Sequence, residues 1–120
     1  MNAAARVRAY RFGLRAETVC VWWLRAQGYR VLARRFKAAV GEIDIIARRG
    51  GLLAMIEVKA RSGGDMAQAV PSHRQRRRIT RAAEAYIART PRLAGCDIRF
   101  DLMIARPWRL PRHIRDAWRP

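Results

Sequence analysis

The chain has 120 residues, with 26 basic against 9 acidic side chains, a formal net charge of +17 and a sequence pI near 11.8, while 51% of its residues are hydrophobic. This length fits a single domain spanning residues 1–120 and excludes two independent units, and the apolar half excludes wholesale disorder. So large a positive charge predicts a polyanionic partner, nucleic acid first, because phosphate contacts release condensed counterions.

All but two of the basic residues are arginine, Lys37 and Lys59 being the exceptions. Guanidinium groups grip phosphate bidentately, although genomic base composition accounts for most of the arginine-to-lysine ratio.

From about Tyr10 to Gln27, Ala16, Val19, Cys20, Trp23 and Leu24 recur at helical spacing, and Gly28 supplies a left-handed stop. Glu17 lies among these residues, so its carboxylate is expected to point inward or, equally, to be an ordinary solvated helix acid. The apolar run Val19 to Leu24 is too short to cross a bilayer, and the arginine-studded start lacks a signal peptide's apolar region. Cys20 and Cys96 have no metal-type spacing and sit beside apolar neighbours, which predicts reduced, buried thiols and a cytoplasmic setting.

Tyr29 to Phe36 alternates Tyr29, Val31 and Ala33 against Arg30 and Arg34, an edge-like strand with a basic face. Two β-rich runs then flank Gly50-Gly51 and predict a hairpin. A two-residue turn there would set Arg49 against Leu52, Asp44 against Glu57 and Glu42 against Lys59. Alternation would also put Glu57 and Lys59 on one face and Ile43, Ile45, Ile56 and Val58 on the other. Ser62 to Asp65 reads as a loop. Pro71-Ser72 opens a second helix with the apolar stripe Ile79, Ala82, Ala83, Tyr86 and Ile87 and an arginine-rich outer face. Asp97 to Ala105 alternates as a further strand, and the Pro-, Trp- and Arg-rich tail after Pro107 is the least legible segment. The tryptophans are expected to pack in the core or tail, and His73 and His113 to be bystanders.

Two carboxylates facing each other across a hairpin destabilise it unless a cation compensates. Lys59 and nearby arginines could do so as a salt-bridge network. Alternatively, a divalent metal could, and hard oxygen ligands at this density suit Mg²⁺ or Mn²⁺, not zinc.

The segments Gly41-Glu-Ile-Asp44 and Glu57-Val-Lys59-Ala-Arg61 resemble the paired motifs of the YraN-like bacterial family, which is similar to archaeal Holliday-junction resolvases and to PD-(D/E)xK nucleases. The likeness extends to Glu17, Gly28-Tyr29, the basic helix after Pro71, and Arg99-Phe100-Asp101. It implies an α/β fold of the restriction-endonuclease-like kind, a mixed β-sheet flanked by α-helices. It also implies a metal-dependent endonuclease acting on DNA, with branched or junction DNA as a substrate class. Asp44, Glu57 and Glu17 would then be metal ligands for Mg²⁺ or Mn²⁺, and Lys59 would position or activate the attacking water, completing a catalytic set of Glu17, Asp44, Glu57 and Lys59. Arg61 and Asp101 would support this shell, or be ordinary surface ions. Relatives often carry a lysine near the start of the second helix, where this chain has Arg74 and Arg76-Arg77-Arg78. These four, with Arg61, are the predicted nucleic-acid contacts. By analogy with the resolvases a homodimer is an option, with Trp108, Ile114 and Trp118 as its apolar interface. A non-catalytic basic nucleic-acid binder that keeps the fold explains the charge equally well, but not the acids. An RNA-associated factor and a membrane-surface protein fit less well.

Overall fold

A computed structural model of the chain describes residues 2–61 and 69–120, with backbone alone at 9–12, so the loop expected at Ser62 to Asp65 lies outside the described residues. The chain order is α1 (Ala3–Ala26), β1 (Arg30–Ala38), β2 (Gly41–Arg49), β3 (Leu52–Ala60), α2 (His73–Ala88), a short 3₁₀ turn (Pro91–Leu93), β4 (Asp97–Ala105) and β5 (Arg112–Trp118). The strands form one five-stranded sheet in sequence order. β1, β2 and β3 are antiparallel neighbours, β3 and β4 run parallel across the α2 crossover, and β5 returns antiparallel to β4. This is the expected mixed sheet flanked by helices, compatible with a restriction-endonuclease-like fold. No described helix is long and apolar enough to cross a membrane.

α1 begins a full two turns before the predicted Tyr10. The Asn2 side chain accepts from Ala5 N at 2.8 Å and caps an alanine-rich start with high helix propensity. It ends as the sequence predicts. Gly28 has φ +87°, its N–H donates to Arg25 O at 3.1 Å, and Tyr29 N donates to Leu24 O at 3.0 Å, which are the two bonds of a Schellman stop. α2 starts in a capping box, in which Gln75 N donates to Ser72 Oγ at 3.2 Å and Ser72 N donates to Gln75 Oε1 at 3.0 Å.

The two helices cover opposite faces of the sheet. Ala16, Cys20, Val21 and Leu24 of α1 pack on Ile45, Ala54, Ile56 and Met103. Ala82 and Ala83 of α2 pack on Ile43, Ile46, Met55 and Phe100, with Ile79, Tyr86 and Ile87 alongside as the stripe requires. Strict alternation fails in two places. Ile43 lies on the α2 side, whereas Ile45 lies on the α1 side. In β1 a register shift between Val31 and Ala33 puts Tyr29 and Val31 against α1 but Ala33 against α2. A β-bulge adds a residue and reverses the facing of those beyond it, which period-two reading cannot foresee.

The proline-rich tail, too, is ordered into a strand. Trp118 stacks on Phe100 at 4.3 Å between ring centroids, and Ile114 packs near Leu102 and Ile104. Of the three residues expected to form an apolar dimer surface, Trp118 is therefore in the core, Ile114 is half-buried against it, and only Trp108 is fully exposed. Trp22, expected to be packed, is 65% exposed. Cys20 and Cys96 are free thiols, Cys20 buried and Cys96 partly so. Burial, with the charges of Glu17 and Asp44 nearby, pushes the Cys20 thiol up to about 12, so it is inert as a nucleophile.

Candidate functional site

The hairpin turns at Gly50, whose φ is +60° while Gly51 keeps a negative-side φ, the pattern of a type II′ turn. The predicted register holds from Arg49–Leu52 to Ile45–Ile56 and then stops. The cross-strand pairs expected next, Asp44 with Glu57 and Glu42 with Lys59, do not form. Instead β2 continues its ladder with β1 and β3 its ladder with β4, leaving a gap between β2 and β3. Asp44 occupies it, and its Oδ2 accepts the backbone N–H of Val58 at 2.8 Å in place of a ladder bond.

Two clefts meet at Asp44. On the α2 face, a cleft of about 150 Å³ is lined by Glu42, Asp44, Glu57, Gln75, Arg78 and Asp101, among others. On the α1 face, Asp44 shares a shallower cleft with Glu17, Arg35, Lys37 and Val58. Burial, opposed by the Val58 hydrogen bond and joined by the charges of Glu57, Glu17 and Glu42, pushes the Asp44 carboxyl up to about 6. Lys59 Nζ lies 2.9 Å from Glu57 Oε1. Glu57 Oε2 is buried and has no hydrogen-bond partner among the described residues.

Glu17 points inward, only 6% exposed, and two arginines hold it at the α1-side cleft. Arg34 Nε donates to its Oε1 at 3.1 Å and Arg35 Nε to its Oε2 at 3.0 Å, tying α1 to the edge strand. Among the described residues no group of three Asp, Glu, His or Cys side chains is arranged to hold a metal. The three carboxylates expected as ligands, Asp44, Glu57 and Glu17, do not line one cleft: Asp44 and Glu57 share the α2-side cleft, and Asp44 and Glu17 the α1-side one. Glu17 meets Asp44 in the α1-side cleft and raises its carboxyl through charge, which leaves Asp44 and Glu57 as the pair on the α2 side. The pair fits a hard divalent ion nonetheless, since such ions are commonly held by one or two carboxylates with water and phosphate oxygens completing the shell. A buried acceptor without a partner beside a destabilised carboxylate is where a cation would relieve the most.

Asp101, expected either to support the acidic shell or to be a surface ion, is fully buried and lines the cleft with Asp44 and Glu57. Arg99 donates to it from Nε and Nη2, both at 2.7 Å, Asp116 N donates at 3.0 Å, and His113 Nε2 lies 2.7 Å away. A carboxylate only accepts, so His113 carries its proton on Nε2. Burial pushes Asp101 up, but these hydrogen bonds and the Arg99 charge hold it below the usual carboxylate range. His113 is therefore no bystander. With Tyr29, whose hydroxyl accepts from Arg99 Nη2 at 2.7 Å, it knits β4, β5 and the end of α1 together under the floor of the acidic cleft. Nothing local in sequence links residues so far apart.

The basic residues divide by role. Arg74, Arg77 and Arg78 are exposed, and Arg81, absent from the predicted set, is exposed on the same α2 face at helical spacing. Arg78 also lines the acidic cleft. Arg76 is half-buried: its Nε donates to Pro71 O at 3.0 Å and its guanidinium lies 5.8 Å from the Trp118 ring. Arg61 is exposed beyond β3, and its Nη1 donates to Ala60 O at 2.9 Å.

A family model described as "Uncharacterised protein family UPF0102" matches residues 16–105, which takes in both acidic segments, α2 and β4. The chain is 53% identical to a UPF0102 protein of Parvibaculum lavamentivorans over 99% of its length and 90% of that relative's. It is 48% identical to one from Paramagnetospirillum magneticum, over 99% and 98% of the two chains. A Bartonella quintana UPF0102 protein is 46% identical over 95% and 93%.

Proposed function

The chain belongs to the UPF0102 family, the YraN-like family its acidic hairpin resembles, and we propose that it is a divalent-metal-dependent endonuclease that cuts phosphodiester bonds in DNA, branched DNA included. The observation that carries this reading is the gap between β2 and β3. There Asp44, raised toward neutrality by burial, lies beside Glu57, whose Oε2 has no partner among the described residues, and Lys59 pairs with Glu57. Asp44 and Glu57 would hold Mg²⁺ or Mn²⁺, which when bound supplies Lewis-acid stabilisation of a phosphoryl oxygen. Lys59 sits where its ammonium can neutralise charge developing on the transferred phosphoryl group. Arg78, on the wall of the same cleft, is placed to grip the flanking phosphate, and Arg74, Arg77 and Arg81 to carry the duplex backbone onward. Glu17 fixes Arg34 and Arg35 on the opposite face and keeps Asp44 electrostatically poised. The free thiols favour a reducing, cytoplasmic location.

The Lys59–Glu57 pair also supports a second reading, a non-catalytic nucleic-acid binder in which that ion pair alone quiets the acids. One assay separates them: incubation with Mg²⁺ or Mn²⁺ on duplex, flap and four-way-junction DNA, for the parent protein and for Asp44→Ala, Glu57→Ala and Lys59→Ala. The nuclease reading expects cleavage that each substitution lowers by at least about a hundredfold, with binding retained. DNA binding by all four proteins without cleavage by any would establish the binder.

A further inference from the structure

Trp108 is fully exposed, at 103% of its reference surface, and its φ is +59°, a left-handed conformation that bulky residues rarely adopt. It sits at the tip of the β4–β5 turn, and the turn is braced rather than loose. Pro107 fixes the preceding φ, Arg109 N donates to Arg106 O at 3.4 Å, and Arg106 Nη2 donates to Leu110 O across the base of the turn at 3.2 Å. A positive φ after proline is where a type II turn favours glycine, so the indole is held out at a conformational cost that no contact among the described residues repays.

Its location gives that cost a purpose. β3 and β4 run parallel with Lys59 opposite Ile104 and Ala60 opposite Ala105, and Arg61 N donates to Ala105 O at 2.9 Å. The Trp108 turn therefore projects from the sheet edge toward which Glu57 and Lys59 lead, with about 10 Å of strand between Glu57 and that edge at ~3.3 Å per residue. Exposed Arg109 and Arg112 flank it. An exposed aromatic face on a braced turn, with exposed arginines close to it in the chain, is complementary to an unpaired base on an anionic backbone, and to neither a bare duplex nor a simple anion.

We infer that Trp108 is a stacking platform for an unpaired nucleobase, so that single-stranded or branched segments are gripped at the edge leading to the Asp44–Glu57 gap. This rests on the nucleic-acid reading above, and one experiment separates the failure of each. Fluorescence anisotropy would compare a labelled oligo-dT strand with a blunt duplex of equal length for the parent protein, Trp108→Phe, Trp108→Ala and Trp108→Gly, with anionic phosphatidylglycerol vesicles as a third probe. The alanine and glycine variants should bind the single strand about tenfold more weakly while phenylalanine keeps most of the affinity and duplex binding stays within about twofold. Trp108→Gly should melt no lower than the parent, because glycine relieves the backbone. Equal single-strand binding by the parent and Trp108→Ala overturns the stacking role alone. No binding of either nucleic acid by the parent overturns the underlying reading as well. A Trp108-dependent affinity for vesicles, with nucleic-acid binding unchanged, replaces the base with a membrane surface.

Discussion

At the scale of single residues, two aspartates do opposite things with the same chemistry, each accepting a backbone N–H where a ladder breaks. Asp101 is satisfied on every side, so its charge is stabilising. Removing it in Asp101→Ala strands Arg99 in the interior and should cost about 3–5 kcal/mol by urea denaturation. Asp44 is under-compensated. Its carboxyl rises from 3.8 to about 6 on folding, so between those values the native chain holds a proton that the unfolded chain has released. Stability therefore falls as pH rises through that window, and above it a penalty on the order of 3 kcal/mol persists. Asp44→Asn keeps an acceptor for Val58 N without the charge. It should melt higher than the parent at pH 8 and no higher at pH 3.5, as differential scanning calorimetry would record.

At the scale of elements, the close approach of α2 to the start of β2 shapes the cleft. A Cβ on Gly41 would fall 2.8 Å from the carbonyl carbon of Arg78 and closer still to its oxygen, so this glycine lets the helix lie over the strand. Gly41→Ala should cost about 1–3 kcal/mol and push Arg78 away from Asp44, lowering DNA affinity as well as the denaturation midpoint. The elements that sequence reading recovers are those written in local chemistry: the Gly28 stop, the Gly50 turn, the Ser72 cap and the span of β4, although β4 is buried on both faces from Phe100 onward. The hairpin brought Asp44, Glu57 and Lys59 into one neighbourhood, as their spacing implied. What period-two reasoning could not supply were the β1 bulge, which moved Ala33 to the other face, the change of facing between Ile43 and Ile45, and the parting of β2 from β3, which turned an expected cross-strand pair into a gap. β5 was hidden because its positive-φ bulge at Asp116 breaks the alternation of Ile114 and Trp118. Of the Arg99–Asp101–His113 cluster the resemblance singled out Arg99 and Asp101, whereas His113, from a distant segment, left no local signal.

At the scale of the whole molecule, a +17 chain with an arginine stripe on α2 should bind DNA with a steep salt dependence. Replacing Arg74, Arg77 or Arg81 singly by alanine should weaken binding across sequences and reduce the slope of log affinity against log salt by about one, whereas Arg76→Ala should act mainly on stability. The central claim is that Asp44 and Glu57 together hold a divalent cation. Isothermal titration of Mn²⁺ into the parent protein, Asp44→Asn, Glu57→Gln and, as a surface control, Glu84→Gln tests it most directly. Saturable binding by the parent and by Glu84→Gln, lost in the other two, is the expected result. Absence of binding in the parent, or equal binding by all four, would contradict the claim.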